Sequence, residues 1–352
     1  MAKQLRIAVV GPGLVGATHA RLINESDDLI LSAVVSTSGD TTFEVAPGKK
    51  VPNFRTVSDL IASLPIDGAI VSSPTEFHFV HATELIKAKI PVLIEKPVGT
   101  GLDQIQKLKI ASQRHCIPVC VGHHRVHGRL FQVLEQLLRS ESLGKCHFAL
   151  AKTIFKKPPD YFKARKWRTK PENLGVVGIN AIHDIDLMQR LFGPFSSVYA
   201  ELDFDPTIDR LPTMGKVICK SNESSCVFLF SDKTGCSDSW EQTAGENNYF
   251  RKHSGHCYEF FCENGSLRFP GFRISSSEGG LDWQDEIPQK SLIVLPDDPL
   301  KNQIQHFRRV ILGHEKPKVT LSDSIRNRRV VDAIFESASN MELVFVECDD
   351  ER

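Results

Sequence analysis

The sequence lacks a net charge and a long apolar run, and its first residues lack the pattern of a leader peptide. Its 43 Lys and Arg residues balance 43 Asp and Glu residues, so general affinity for polyanions such as nucleic acid is not expected. No stretch approaches the ~18 uninterrupted apolar residues that a membrane helix requires. The N-terminus has no basic segment followed by an apolar one and a cleavage site. We therefore expect a cytoplasmic protein that neither crosses a membrane nor binds nucleic acid.

The sequence also lacks a disulfide or zinc framework. Its nine cysteines are odd in number, widely spread and without a Cys-x-x-Cys motif, which indicates reduced and mostly buried thiols. The run from His123 to His127 is the other place where a metal site could be suspected. Adjacent histidines on an extended chain point to opposite faces and no acid is near them in sequence, so no metal is expected. Arg125, within this run, is predicted instead to grip substrate oxygens.

What is present is enough sequence for two domains: 352 residues, of which 41% are hydrophobic and 24% charged. Residues 1–123 alternate apolar strands with helical patterns, and strands that are apolar along their whole length are buried on both faces. This predicts a doubly wound parallel sheet. The predicted strands are Leu5–Val10, Leu29–Val35, Ala69–Ser72, Val92–Glu95 and Pro118–Val121, and the helices are Leu14–Asn24, Thr75–Lys87 and Asp103–Arg114.

Residues 124–352 follow a different pattern, in which strands succeed one another without helices between them. This predicts an α+β domain with an open, mainly antiparallel sheet. Two closing helices are expected near Leu300–Leu312 and Asp323–Leu343. The fold class is therefore α/β, with a parallel domain followed by a mixed one.

A glycine-rich turn, Gly11-Pro12-Gly13-Leu14-Val15-Gly16, lies between the first strand and the first helix. In this context G-x-G-x-x-G binds a dinucleotide: the glycines permit a tight turn and close backbone approach, and the helix N-terminus attracts the pyrophosphate. Gly11, Gly13, Leu14, Val15 and Gly16 are thus predicted to contact the cofactor. A purely structural glycine turn is the alternative.

The second strand ends at Ser36-Thr37-Ser38, where an NAD site usually carries Asp or Glu for the ribose hydroxyls. Small hydroxyl side chains accept a 2′-phosphate that a carboxylate would repel. We therefore expect Ser36, Thr37 and Ser38 to favour NADP over NAD, although no Arg follows directly. An NAD site without its acid is the alternative.

Glu95-Lys96-Pro97 closes a predicted strand at the carboxyl edge of the parallel sheet, where ligands of such folds bind. Lys96 at that edge is a candidate catalytic group. An X-Pro bond of this kind is a candidate for the cis form.

These motifs together carry a family resemblance. In order along the chain, the glycine turn, Ser72–His78, Glu95-Lys96-Pro97, Trp167-Arg168 and Gly178–Leu187 resemble the Gfo/Idh/MocA oxidoreductases, over nearly the whole length. The resemblance implies a Rossmann domain and a substrate-binding domain whose sheet builds a homodimer or homotetramer. It implies hydride transfer between a nicotinamide and a sugar, cyclitol or polyol carbon.

The resemblance also implies roles for individual residues. Lys96 matches the active-site lysine, which contacts cofactor and substrate, and His183 matches the general acid/base. The remaining positions are assigned to the cofactor: Ser73, His78, Glu95, Trp167 and Arg168.

The residues around His183 also support a catalytic role, independently of the resemblance. Asn180 and Asp186 lie three residues to either side, so an α-helix would place all three on one face. There an imidazole can take a proton, Asp186 can fix its tautomer and Asn180 can contact substrate. A hydrogen-bonded structural histidine is the alternative. The sequence departs from the family in having Ile179 where many members have Asp, which puts the proton relay in doubt.

Residues 156–170 hold seven Lys or Arg and one acid, interleaved with aromatic residues that include Tyr161. We expect a loop flanking anionic cofactor or substrate, with Tyr161 at the substrate. A nucleic-acid surface and a solvated basic loop are the alternatives.

Two further functions compete with a dehydrogenase. One is a redox-cycling glycosidase of the same fold that keeps its NAD bound. The other is a non-catalytic, dinucleotide-sensing regulatory protein, against which the presence of both Lys96 and His183 argues.

Overall fold

A computed structural model describes residues 4–158, 160–161, 170–205, 211–247, 249–276, 283–284 and 286–347. The chain forms two compact units. The first comprises Met1–His124 and Leu300–Ile325, and the second Arg125–Pro299 and Arg326–Arg352. The predicted division into 1–123 and 124–352 stays a prediction, but a late helix joins the first unit. Its residues Ile304, Phe307 and Val310 are buried in the core of that unit.

The first unit is built on a seven-stranded sheet. Its strands are β1 (Leu5–Val10), β2 (Leu29–Val35), β3 (Thr42–Ala46), β4 (Lys49–Phe54), β5 (Gly68–Val71), β6 (Val92–Ile94) and β7 (Val119–Val121). Their order is β3-β4-β2-β1-β5-β6-β7, and every neighbouring pair except β3–β4 is parallel. The predicted doubly wound sheet is therefore confirmed, with a β3–β4 hairpin added at one edge.

Helices connect these strands because the central strands are apolar on both faces. All residues of β5 and β6 are buried, and β1 exposes part of Arg6 alone. The helices are α1 (Leu14–Asn24), α2 (Val57–Ser63), α3 (Thr75–Lys87) and α4 (Leu102–His115), joined later in the chain by Pro299–Ile311.

The strand order reverses at β1, which pairs with β2 on one side and with β5 on the other. In open α/β sheets, ligands bind at the carboxyl ends of the strands beside such a reversal. The glycine turn after β1 and Ser72-Ser73 after β5 lie at this position.

The second unit is built on a nine-stranded sheet. Its strands are β8 (Cys146–Ile154), β9 (Phe195–Asp205), β10 (Leu211–Ser221), β11 (Ser225–Ser231), β12 (Tyr258–Cys262), β13 (Gly265–Phe269), β14 (Arg273–Ser276), β15 (Gln289–Ser291) and β16 (Val344–Phe345). Their order is β15-β14-β13-β12-β8-β11-β10-β9-β16. The β8–β11 pair alone is parallel, so the expected mainly antiparallel sheet is confirmed.

The helices that accompany this sheet are α5 (Arg129–Leu138), α6 (Ile182–Phe192) and the short α7 (Trp240–Thr243). Of the long closing helix Leu321–Asn340, residues 321–325 are assigned to the first unit and residues 326–340 to the second. A turn of π-helix, Val177–Ala181, leads directly into α6. Among the described helices, none combines the length and the apolar character needed to cross a bilayer.

Candidate functional site

The glycine turn is formed as predicted and requires glycine for steric reasons. Gly11 has a φ of +83°, and its N–H donates to the carbonyl of Val35 at 2.8 Å. A Cβ on Gly11 would lie 2.4 Å from Cα of Ser73, well inside contact distance. The backbone after β1 can therefore approach the loop after β5 only without a side chain at this residue.

Gly16 keeps the first turn of α1 against the same loop. A Cβ there would lie 2.2 Å from the carbonyl oxygen of Gly11 and 2.5 Å from Oγ of Ser72. Helix α1 has no acidic residue in its first turn, and Leu14 and Val15 are exposed. A narrow backbone turn and an acid-free helix N-terminus fit a dinucleotide pyrophosphate.

The hydroxyl residues after β2 form a small polar network. Ser36 donates from Oγ to Oδ1 of Asn53 at 3.1 Å, and Nδ2 of Asn53 donates to Oγ of Ser38 at 3.2 Å. The hydroxyl oxygens of Ser36 and Ser38 are themselves 3.2 Å apart. Thr37 between them is exposed. Asn53 on β4 thus holds two of the three predicted cofactor residues.

Lys96 follows β6 at the same carboxyl edge and is half-buried. The Lys96–Pro97 peptide bond is cis, the form considered from the sequence. The neighbouring Glu95 turns back, and its Oε2 accepts a hydrogen bond from the backbone N–H of Lys96 at 3.3 Å.

Glu95 joins the lysine segment to the helix of the glycine turn. Its Oε1 lies 2.8 Å from Nε2 of His19, a fully buried residue of α1. Burial raises the pKa of Glu95, but the hydrogen bond from His19 and the positive charges of His19, Lys96 and His124 outweigh it, so its pKa is lowered. Glu95 is therefore a buried carboxylate that holds its charge.

Ser73 and His78, assigned to the cofactor by resemblance, are both enclosed by the protein. Ser73 Oγ lies 3.0 Å from Nδ1 of His81. His78 places Nε2 2.6 Å from the carbonyl oxygen of Ser73 and Nδ1 2.8 Å from that of Pro97. Burial lowers the pKa of His78 against the opposing effect of these carbonyls. This geometry makes His78 a link between the loops after β5 and β6 and does not present its ring to a ligand.

In the second unit, the predicted acid/base His183 lies in the first turn of α6 and is buried. The next residue, Asp184, anchors the helix. Its Oδ1 accepts from Arg125 at 2.7 Å and from the Tyr258 hydroxyl, and its Oδ2 accepts from Thr153. Burial and the nearby charge of Glu241 raise the pKa of Asp184 above its ordinary value, against the opposing effects of the Arg125 charge and the two hydroxyl hydrogen bonds.

The predicted substrate role of Arg125 needs correction. The residue is 1% exposed, and its second terminal nitrogen donates to Oε1 of Glu241 at 2.5 Å. The guanidinium also lies 5.1 Å from the ring centroid of Trp240. A cation held by two carboxylates and an aromatic face in the interior is a structural residue, since both terminal nitrogens are bonded to protein groups.

Asn180 lies in the π turn and contacts a lysine that the sequence did not single out. Nζ of Lys157, a residue only 9% exposed, donates to Oδ1 of Asn180 at 2.8 Å and to Oδ2 of Asp232 at 3.2 Å. The same ammonium lies 5.1 Å from the ring of Tyr161, the other predicted substrate residue. Because an ammonium only donates, the oxygen of the Asn180 amide must face it, which leaves the NH₂ group on the other side.

Asp186, the predicted partner of His183, accepts hydrogen bonds from Nε of Arg190 at 2.9 Å and from Nδ2 of Asn327 at 2.8 Å. Asn180 lies within the π turn that precedes α6, so the α-helical spacing that would align it with Asp186 does not apply. Trp167 and Arg168 lie outside the described residues.

Sequence reasoning missed three positioning residues: His19, Lys157 and Asp184. His19 and Asp184 had a local signal: His19 is a polar residue on the buried face of the helix after the glycine turn, and Asp184 lies within the Gly178–Leu187 motif. Lys157 stood in the basic run but had no signal that distinguished it from its neighbours. In the part of the chain that the structure describes, no group of three or more His, Cys, Asp or Glu side chains is arranged to hold a metal ion.

Comparison with known proteins agrees with the fold. WlbA dehydrogenase from Bordetella pertussis, solved in complex with NADH and UDP-GlcNAcA, superimposes with a TM-score of 0.78 at 19% identity, covering 99% of this chain and 100% of that one. Rhizopine catabolism protein MocA of Rhizobium meliloti is 23% identical over 70% of this chain and 77% of its own length. Myo-inositol 2-dehydrogenase of Thermotoga maritima is 26% identical to this chain. That match covers 54% of this chain and 55% of the relative's own length.

Family membership rests on matches in both parts of the chain. Residues 5–123 match the oxidoreductase family with an NAD-binding Rossmann fold, and residues 131–268 match the Gfo/Idh/MocA C-terminal domain. The resemblance drawn from the sequence motifs is therefore confirmed, and the chain belongs to the Gfo/Idh/MocA family of oxidoreductases.

Proposed function

We propose that this protein is an NAD(P)-dependent dehydrogenase or reductase. Its substrate would be a sugar, cyclitol, polyol or related polyhydroxylated small molecule, oxidised or reduced at a hydroxyl or carbonyl carbon. The observation that carries the proposal is the link made by Glu95. This buried carboxylate contacts His19, on the helix of the glycine turn, and the backbone of Lys96. The candidate catalytic lysine is thus connected to the dinucleotide-binding turn.

The nicotinamide of a bound dinucleotide would accept or supply the hydride. Lys96 would hold and polarise the reacting oxygen through its ammonium group, and His183 would take or return the proton of the substrate hydroxyl. Asn180 would contact the substrate through its NH₂ group, because its oxygen is held by Lys157. The relative named for myo-inositol and the structural neighbour solved with UDP-GlcNAcA support a polyhydroxylated substrate.

For the cofactor, we propose a preference for NADP over NAD. The segment after β2 offers the hydroxyls of Ser36, Thr37 and Ser38 where a carboxylate would select the free ribose. The relative solved with NADH belongs to the same fold but does not determine the choice in this chain.

The experiment is a fluorescence titration with NADPH and NADH, followed by a screen of sugars, polyols and cyclitols for a change in reduced-nicotinamide absorbance. With a substrate identified, Lys96→Met and His183→Asn should each lower kcat/KM by about 100-fold or more. The matched controls Lys107→Met and His147→Asn make the same substitutions at exposed positions and should leave kcat/KM unchanged. A residual activity within about threefold of wild type would remove the assigned roles.

The same experiment separates the competing functions. A regulatory protein would bind NADPH saturably, but no compound of the screen would change the reduced-nicotinamide absorbance in either direction. A redox-cycling glycosidase would retain its dinucleotide through gel filtration and release sugar at constant absorbance. Either result would overturn the proposal of a dehydrogenase.

We also propose a homodimer or homotetramer formed through the nine-stranded sheet. Phe148 on β8 and Phe261 on β12 are cross-strand neighbours, 58% and 44% exposed, on one face of that sheet. Exposed aromatic pairs of this kind are typical of contact surfaces. Light scattering should give a mass of two or four chains for wild type, and Phe148→Glu with Phe261→Lys should give a smaller species.

A further inference from the structure

Arg55 is brought to the cofactor side of the first unit by a strand that the sequence analysis did not predict. Strand β4 runs parallel to β2 with Phe54 opposite Val35, so both strands end at the same edge of the sheet. The N–H of Ser36 donates to the carbonyl of Phe54 at 2.9 Å. Arg55, the residue after Phe54, therefore stands beside Ser36 although it is distant in sequence.

Arg55 follows directly on the strand whose Asn53 contacts the serine hydroxyls. Asn53 directs its amide to Ser36 and Ser38, with Nδ2 also donating to the carbonyl of Asp40 at 2.7 Å. Arg55 itself lies in the bend between β4 and α2 and is exposed, so its guanidinium is available to a ligand beside the serines.

Among the charged residues near this edge, Arg55 is the cation best placed to bind a phosphate. Lys49 and Lys50 lie at the opposite end of β4, next to the β3–β4 turn, where Lys50 pairs in register with Glu44. Asp40 is the acid that follows the serines, and its backbone carbonyl and N–H are held by Asn53 and Ser38. A planar guanidinium binds phosphate oxygens with two parallel hydrogen bonds, which an ammonium cannot do.

We propose that Ser36, Ser38 and Arg55 form a binding site for the 2′-phosphate of NADPH. Arg55 would supply from β4 the positive charge that does not follow β2 in the sequence. This inference rests on the proposed function, because it assumes that a dinucleotide lies on the glycine turn. It goes further in naming the residue that selects between the two cofactors.

The test measures Kd for NADPH and NADH by fluorescence titration of wild type, Arg55→Gln and Lys49→Gln. Wild type should bind NADPH more tightly. Arg55→Gln should weaken NADPH binding by about 10- to 100-fold, the loss expected for hydrogen bonds to a charged group, and leave NADH within about twofold. Lys49→Gln removes the same charge at the other end of β4 and should change neither Kd. Adenosine 2′,5′-bisphosphate should compete with NADPH better than AMP does, and Arg55→Gln should abolish that difference.

The outcomes are distinguishable. If wild type prefers NADH, or if Arg55→Gln weakens both dinucleotides equally, the 2′-phosphate site is refuted while the dehydrogenase proposal stands. If NADPH is preferred and Arg55→Gln does not reduce the preference, another group makes the selection and the assignment of Arg55 is overturned. If wild type with a normal unfolding transition binds neither dinucleotide, both proposals fail.

Discussion

Nε2 of His19 lies 2.8 Å from Oε1 of Glu95, and both side chains are buried beneath the carboxyl edge of the parallel sheet. His19 belongs to the helix that begins at the glycine turn, and Glu95 precedes the candidate catalytic lysine. A buried carboxylate is stable only with a hydrogen-bonding or charged partner. The pair therefore connects two functional segments and depends on both of them for its stability.

We expect Glu95→Ala to destabilise the first unit and to disturb Lys96. Removal of one member of a buried pair costs about 3 kcal/mol or more in unfolding free energy, because the other member remains buried without its partner. Urea denaturation measures this cost. Glu25→Ala breaks the exposed pair with Arg21 on the same helix and should cost less than about 1 kcal/mol.

The low pKa of Glu95 adds a pH dependence to this prediction. A carboxyl whose folded pKa lies below its unfolded value stabilises the protein above the unfolded pKa, and that contribution is lost as the pH falls through the folded pKa. Wild type should therefore lose stability in acid more steeply than Glu95→Gln. Parallel pH profiles for the two proteins would contradict the assignment.

Arg125 offers a direct test of a structural against a substrate-binding role. Arg125→Met leaves the buried Asp184 and the half-buried Glu241 without their cation, so the free energy of unfolding should fall by about 3–5 kcal/mol. Arg129→Met, at an exposed position nearby, should have little effect. A variant with unchanged stability and a raised KM would restore the substrate role expected from the sequence.

The sequence predicted those elements whose apolar residues follow a clear strand or helix pattern. Strands β1 and β2 occur over the predicted residues because each is an apolar run, and helix α1 does so because its apolar residues recur at helical spacing after the glycine turn. The β3–β4 hairpin was missed, since its strands are short, partly exposed and polar. With the hairpin, the position of Arg55 was missed as well.

The second unit shows why a site is harder to predict than a fold. His183 and Asn180 were recognised by spacing, but α and π turns have the same composition, so the change of phase before α6 could not be read from the residues. The contacts of Arg125 with Asp184 and of Lys157 with Asn180 join residues far apart in sequence. Such pairs follow from tertiary packing, which local patterns do not encode.

Asn180→Asp tests the orientation of the Asn180 amide. The variant keeps an oxygen for Lys157 but replaces the NH₂ donor with a charged acceptor. If the NH₂ group donates to a substrate oxygen, KM for the identified substrate should rise about tenfold, the cost of one lost hydrogen bond. Lys157→Met should raise KM in the same direction by releasing the amide, whereas Lys156→Met, one residue earlier, should not. An unchanged KM in Asn180→Asp would remove Asn180 from the substrate-binding residues.

Glu246 should make stability fall as the pH rises. Its Oε2 accepts from Nε1 of Trp240 at 2.7 Å, and burial raises its pKa to about 8, against the opposing effects of that hydrogen bond and of Arg125. Between the ordinary glutamate pKa of about 4.3 and this value, the folded protein keeps a proton that the unfolded chain has released. The folded state binds more protons, so rising pH favours unfolding, by at most about 1.4 kcal/mol per pH unit.

Glu246→Gln cannot release a proton and isolates this contribution. The stability of wild type relative to Glu246→Gln, measured by urea denaturation, should decline from a pH of about 5 to about 8 and stay constant above it, because the carboxyl is then ionised in both states. Glu223→Gln, at an exposed position of the same unit, should give a profile parallel to wild type. A constant difference between wild type and Glu246→Gln across this range would mean that Glu246 is already ionised in the folded protein. Trp240 would then be hydrogen-bonded to a buried carboxylate close to Arg125, and the cation would have a third acidic neighbour in addition to Asp184 and Glu241.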